Sequence, residues 1–166
     1  QIREISGTRA WRRKQAIRFV KEIGFEALIF ADVDDILSTN RVEVAKISLE
    51  TTEIFVNELL VFGERMFFNY PAIVSRFPDG GTIRPSAVRD FNFLGLSNSA
   101  IRLKRLPSVL CELPDDLMAF DWTFFGVLLE LGFAARFSSA CVTHYRQHRA
   151  NAASLVNIDD DYVGRA

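Results

Sequence analysis

Four apolar residues that run straight into a cluster of acids constrain this chain more than any other stretch. Ala27 to Phe30 have the composition of a short strand buried on both faces, and the run stops at Asp32, Asp34 and Asp35, ahead of the helix starters Ser38, Thr39 and Asn40. Acid at the end of such a strand predicts an α/β fold, because in open α/β sheets the carboxyl ends of the strands leave the crevice in which ligands sit. Three crowded carboxylates repel one another unless a cation or hydrogen-bond donors neutralise them, and hard ions such as Mg²⁺ and Mn²⁺ prefer oxygen ligands. One reading is therefore a metal held at a strand end. The other is a solvated turn in which Asp34 or Asp35 serves as a local turn or cap residue.

The flanking sequence supports alternation of helix and strand. Thr8 to Ile23 reads as a helix with Ala16, Phe19, Val20 and Ile23 on one face and Gly24 as its stop. Its other face carries Arg9, Arg12, Arg13, Lys14, Arg18 and Lys21, a stripe suited either to a polyanion such as a diphosphate or to plain solvation. Asn40 and Glu43 have the spacing of a capping box for a second helix with Val42, Ala45 and Leu49 inward. Glu53 to Phe62 reads as a strand, and Phe77 to Gly81 as a turn. Phe91 to Leu103, with Gly95 at its centre, suits backbone that passes close to a ligand or another chain. Asp121 stands where an N-cap belongs and Gly132 where the helix between them should stop; that helix is apolar enough to be buried all round. Phe133 to Val142 reads as a last strand, leading into Thr143 to His148 and Asn151.

Composition sets the outer limits. A length of 166 residues, 49% of them hydrophobic and 15 of them Phe, supports one domain with a full core. Twenty basic against 21 acidic side chains give a net charge of -1, so no global field draws the chain to nucleic acid or an anionic membrane. Cys111 and Cys141 fit a reducing, cytoplasmic compartment as buried thiols, with a lone disulfide as the alternative. No apolar stretch approaches the roughly 20 residues that cross a bilayer, and the polar start at Gln1 is not a signal peptide. The absence of an initiator Met suggests a piece of a longer chain.

Three segments in this order carry a resemblance: Asp32 to Asp35 after the apolar run, Gly95 to Arg102 (GLSNSAIR), and Tyr145 to Asn151 (YRQHRAN). Together they resemble the inverting family-2 glycosyltransferases of the GT-A fold, a Rossmann-like mixed sheet flanked by helices. The likeness spans Ser6 to Leu155 and lacks the family's first β-α-β segment, which contacts the base and ribose. The chain is then truncated at its N-terminus, has diverged there, or relies on a partner. The resemblance implies transfer of a sugar from a nucleotide-diphosphate donor to a hydroxyl of a glycan, lipid-linked or other acceptor, by single displacement with inversion. It places Asp32 near the donor ribose, Asp34 and Asp35 on Mg²⁺ or Mn²⁺, and Ser97 and Asn98 beneath the donor sugar and acceptor. Asp121 takes the place of the general base, Arg146 that of a group closing over the diphosphate, and His148 that of a further metal ligand.

Each role has a plainer competitor. Asp121 is also placed to be only a helix cap, Arg146 a surface ion pair, His148 an ordinary surface or core imidazole, and Ser97 with Asn98 a turn. Departures from the family pattern are Ile36 and Leu37 after the acids, Phe120 in place of an acid before Asp121, and a long spacing from Arg13 to Asp32. Two further readings compete with sugar transfer. A GT-A-like domain lacking its nucleotide half is a catalytically incomplete binding domain. The run LIFADVDDIL also resembles the first motif of haloacid-dehalogenase-type phosphohydrolases, with Asp32 as nucleophile and Asp34 as acid/base, but Ile36 stands where that motif needs Thr. Lys104 and Asp115-Asp116 would supply its later motifs.

Overall fold

The computed structural model describes residues 6–63, Ile73 and residues 77–147. In chain order these form α1 (Arg9–Glu22), β1 (Ala27–Ile29), β2 (Ile36–Leu37), α2 (Arg41–Ser48), β3 (Ile54–Gly63), β4 (Thr82–Ile83), α3 (Pro85–Val88), β5 (Ser99–Arg102), α4 (Phe120–Glu130) and β6 (Ala135–Gln147), with 3₁₀ turns at Leu96–Asn98 and Ser108–Glu112. The architecture is mixed α/β. One mixed sheet has the order β1-β5-β3-β6-β2, with β4 also paired to β6, and helices flank it. Among the described residues no helix is long and apolar enough to cross a membrane.

The strand directions position the site. β5 runs antiparallel to both β1 and β3, while β3 and β6 are parallel. The carboxyl ends of β1, β3 and β6 therefore point the same way, toward the side on which β5 starts, and β3 and β6 run on together past the Val56–Ser99 pair. The helices that feed β1 and β6 run back along them, so α1 and α4 direct their N-termini toward the same side. Both end in the same way. Gly24 (φ 88°) and Gly132 (φ 83°) adopt the left-handed conformation that only glycine takes readily, and each closes a Schellman motif, with bonds to Lys21 O and Leu129 O.

Burial follows the two-residue period of β3. Ile54 and Val56 pack on one face beneath Phe120, Phe124 and Leu128 of α4, whereas Phe55 packs on the other with Ala45, Leu49, Ala100 and Cys141. Burial raises the Cys141 thiol to about 11, which makes it a core side chain and not a reactive one.

Several faces differ from those the spacing predicts. β1 is an edge strand with β5 on one side, so Ala27 is exposed and Leu28 and Ile29 are only half-buried. On α1 the buried residues are Ala10 and Ile17; Phe19 and Ile23 face outward. The helix is rotated because its basic stripe is used internally: Lys14 Nζ donates to Leu113 O and pairs with Asp115 at 2.5 Å, and Lys21 Nζ donates to Leu106 O at 2.6 Å. The Lys14 side chain is largely buried, and both lysines spend their charge on the segment before α4. On α2, Val42 is 64% exposed and Arg41 takes the inward place, at 1% exposure. Asn40 does precede α2, but it makes no capping bond; its Nδ2 donates to Ala140 O at 3.0 Å. The demand comes from β6. Asn57 pairs with Ser138 but Glu58 with Val142, so residues 139–141 have no partner on β3 and their backbone groups are met by side chains such as Asn40 and Asp79. Asp121 is inside the first turn of α4, with Ala119 at the N-cap, and α4 leaves Trp122 and Leu131 exposed instead of being buried all round.

Arg41 ties these parts together. Its Nε donates to Asn57 Oδ1 and one terminal nitrogen to Phe30 O, both at 2.8 Å, while the other reaches Ser99 O at 3.3 Å. Arg41→Met leaves Asn57 Oδ1 and Phe30 O without this donor, and Ser99 O with only the long bond from Phe30 N–H at 3.5 Å, and is expected to cost about 3–5 kcal/mol. Arg41→Lys should restore little, because one ammonium cannot span the fork. Urea denaturation checks both; a loss of under about 1 kcal/mol in Arg41→Met contradicts this account.

Candidate functional site

The chain leaves β1 at Phe30, whose carbonyl is held by Arg41, and turns at once: Asp35 N–H donates to Asp32 O at 3.2 Å. Ser97, in the 3₁₀ turn before β5, accepts from Asp32 N–H at 3.4 Å and donates its hydroxyl to Asp35 Oδ2. Asp35 Oδ1 accepts from the backbone N–H of Arg146 at 2.9 Å. Asp35 thus joins three segments far apart in sequence: the acidic turn, the start of β5 and the end of β6. Beneath it lies a buried polar layer. Asn57 Nδ2 donates to Thr143 Oγ1 (3.0 Å) and Glu58 O (2.9 Å), Thr143 donates to Ser97 O (3.1 Å), and Asn98 Nδ2 donates to Asn57 O and Phe93 O (3.0 Å each).

Charge concentrates above this layer. Partial burial raises the pKa of Asp32, and the neighbouring carboxylates of Asp34 and Asp121 raise it further, while the Arg13 guanidinium opposes them. Burial likewise raises Asp35, against the stabilising bonds from Ser97 and the Arg146 N–H, with Asp32 and Asp34 adding repulsion. Asp121 Oδ1 accepts from Trp122 N–H at 3.0 Å, and its Oδ2 faces Gly95. Four carboxylates are in electrostatic reach of one another through Asp32 and Asp35, and Arg13 is the cation that Asp32 senses.

The residues singled out by sequence therefore fall into distinct places. Asp32, Asp34, Asp35, Ser97, Asn98 and Asp121 are gathered at one rim, and the Arg146 backbone closes the group. The Arg146 guanidinium lies over the Phe62 ring, 5.3 Å from its centroid. His148 and Asn151 lie outside the described residues. The structure commits the Ser97 hydroxyl and both Asp35 oxygens to positioning the turn. Three contributors went unassigned or underweighted in the sequence: Arg13, whose charge is felt at Asp32; Arg41; and Asn57, a lone amide in an apolar strand.

Among the described residues no three His, Cys, Asp or Glu side chains form a ready cation cage. The donor set is nevertheless hard oxygen crowded by like charge, which suits an ion that brings phosphate oxygens with it, as Mg²⁺ commonly does with one or two carboxylates. Comparison with known proteins gives no matching family model, no matching curated protein and no matching solved structure.

Because folding raises the pKa of Asp32 and Asp35 above the ordinary 3.8, the folded state holds more protons than the unfolded one between that value and the raised ones. The stability these groups contribute is full below 3.8 and is lost as pH rises through their folded pKa values. Asp32→Asn removes one of the crowded charges and is expected to raise Tm at pH 7 while leaving it unchanged at pH 3. Calorimetry across that range checks this, and a lower Tm at pH 7 contradicts it.

Proposed function

We propose that this chain is a metal-dependent inverting glycosyltransferase domain of the GT-A kind, which moves a sugar from a nucleotide diphosphate to an acceptor hydroxyl. The observation that carries the reading is convergence: the acidic turn after β1, the Ser97-Asn98 turn and Asp121 of α4 meet at one rim, although over eighty residues separate the first from the last. These segments, with the end of β6, hold the motifs on which the family resemblance rests. A solvated acidic turn has no need of this convergence.

The chain's own residues have separable tasks. Asp34 and Asp32 would hold the divalent ion and its diphosphate; the ion supplies positive charge for the departing phosphate oxygens. Asp35 and Ser97 fix the turn that aims them. Arg13 offsets the charge of the acids when no cation is bound. Asp121, on the first turn of α4, takes the proton of the attacking hydroxyl, and its bond from Trp122 N–H leaves Oδ2 directed at the site.

A second reading has one specific observation behind it. Glu26 O and Phe30 N–H bond to β5, so strand alternation turns the polar groups of Ala27 and Ile29 to the opposite side, where no described strand pairs with them. Phe25, 61% exposed, lies next to this open edge. A strand added there would complete a nucleotide pocket, and without it the domain binds but does not turn over.

Calorimetric titration of UDP and GDP with Mn²⁺, followed by transfer assays, separates these readings. Asp34→Ala is expected to abolish metal-dependent donor binding. Asp121→Asn should leave that binding intact and lower kcat by about 10²–10⁴. Full transfer by Asp121→Asn contradicts the base assignment, and phosphate-ester hydrolysis lost in Asp32→Asn favours the phosphohydrolase.

A further inference from the structure

Long side chains span the space between α1 and the chain that leads from β5 to α4. Lys14 Nζ donates to Leu113 O, and Lys21 Nζ donates to Leu106 O at 2.6 Å. The two lysines stand about two turns apart on the helix, so a strut closes each end of the gap while its middle stays open. That middle is a cavity of about 360 Å³. Its walls are apolar: Ile17 of α1, Leu106, Leu110, and Phe120 and Phe124 of α4 line it, and all five belong to the core. The Phe120 and Phe124 rings stack with centroids 5.4 Å apart, which fixes that wall. Water in such a cavity finds few polar partners, so an apolar body that displaces it gains the free energy of leaving solvent.

Charge gathers at the mouth. Lys14, Arg18, Lys21 and Glu22 all border the cavity. Lys14 is paired with Asp115 at 2.5 Å and Arg18 with Glu22 at 2.9 Å, so those charges are offset. Lys21 differs. Among the described residues its ammonium meets a neutral carbonyl and forms no ion pair. An ammonium has three hydrogens to give, and Leu106 O takes one of them. We propose that this cavity binds a small amphipathic monocarboxylate, with its hydrocarbon body against Leu110, Phe120 and Phe124 and its carboxylate on Lys21. One unpaired positive charge beside an apolar wall matches a single negative head, whereas an alcohol leaves the charge unmet and an ammonium head is repelled by it. Asp32, Asp34, Asp35 and Asp121 are not among the described residues that line the cavity, so the proposal stands apart from the glycosyl-transfer reading.

The site is tested by amide NMR on the full chain, titrated with octanoate, 1-octanol and octylammonium, each below its aggregation limit. Octanoate is expected to give saturable shifts at the N–H groups of Lys21, Leu106, Leu110 and Phe124. It should bind about fivefold more tightly than 1-octanol, the gain of one ion pair at a surface, and octylammonium should bind more weakly than the alcohol. Lys21→Gln keeps a donor for Leu106 O but removes the charge, and should bring octanoate to the affinity of 1-octanol or below. Ser108→Phe changes an exposed residue at the mouth. It should weaken both octanoate and 1-octanol by about fivefold or more while signals from β3 and β6 stay in place. Equal binding of all three probes overturns the proposal, as does unchanged octanoate affinity in either variant. Shifts spread evenly over the exposed Phe19, Ile23 and Phe25, or no saturable response at all, overturn it too.

Discussion

A buried guanidinium is the constraint from which the rest of the structure follows. Removing an arginine from water costs several kcal/mol, and the cost is offset only when its fork is filled by well-aligned acceptors. Arg41 finds them in Phe30 O, Ser99 O and Asn57 Oδ1, which belong to three different segments of the chain. Hydrogen bonds from a charged donor are worth roughly 1.5–3 kcal/mol each, so three of them are comparable with the penalty. The net gain is small, but the specificity is high. The end of β1, the start of β5 and the middle of β3 can occupy only the relative heights that satisfy one planar group, and the acidic turn begins two residues beyond the carbonyl so fixed.

From that fixed point, topology brings the chemistry together. Parallel β1, β3 and β6 with an antiparallel β5 between the first two point three strand ends toward the side on which β5 starts. Helices that pack back against the strands they precede add Arg13 from α1 and Asp121 from α4. Burial first, and then the neighbouring carboxylates, raise the pKa of Asp32 and Asp35, which is a standing cost to the fold. Under the proposed function, a cation with its phosphates would relieve that repulsion, and folding free energy lost in the free protein would return as affinity for the ligand.

Much of this was legible in the sequence, and the rest was hidden for definite physical reasons. The acidic turn and both glycine stops follow from residue type alone, since turn chemistry and left-handed backbone are local properties. The inward face of α1 differs from the apolar spacing because Lys14 and Lys21 count as polar in any periodicity, yet reach the carbonyls of Leu113 and Leu106. Arg41 was invisible on the same ground: apolar spacing nominates Val42, and only the tertiary placement of three acceptors makes the charged residue the buried one. Asn40 holds the expected position at the head of α2, but a long-range need at residues 139–141 of β6 outbids the local cap. Ser97 and Asn98 stood out as a pair. Which of their atoms is committed depends on Asp35 and Asn57, forty or more residues away, as well as on the nearby Phe93 carbonyl.

The central claim is that the acids after β1, the turn before β5 and the head of α4 surround one cation. Paramagnetic relaxation by Mn²⁺, added below stoichiometry with a nucleoside diphosphate, reads that arrangement directly. The amide signals of Asp32, Asp34, Asp35, Ser97, Asp121 and Trp122 should broaden together, while those of Gly24 and Gly132, which precede β1 and β6 at the opposite end of the sheet, stay sharp. Broadening confined to one of these segments, or spread evenly over outlying acids such as Glu22, Glu50 and Glu130, would contradict the account.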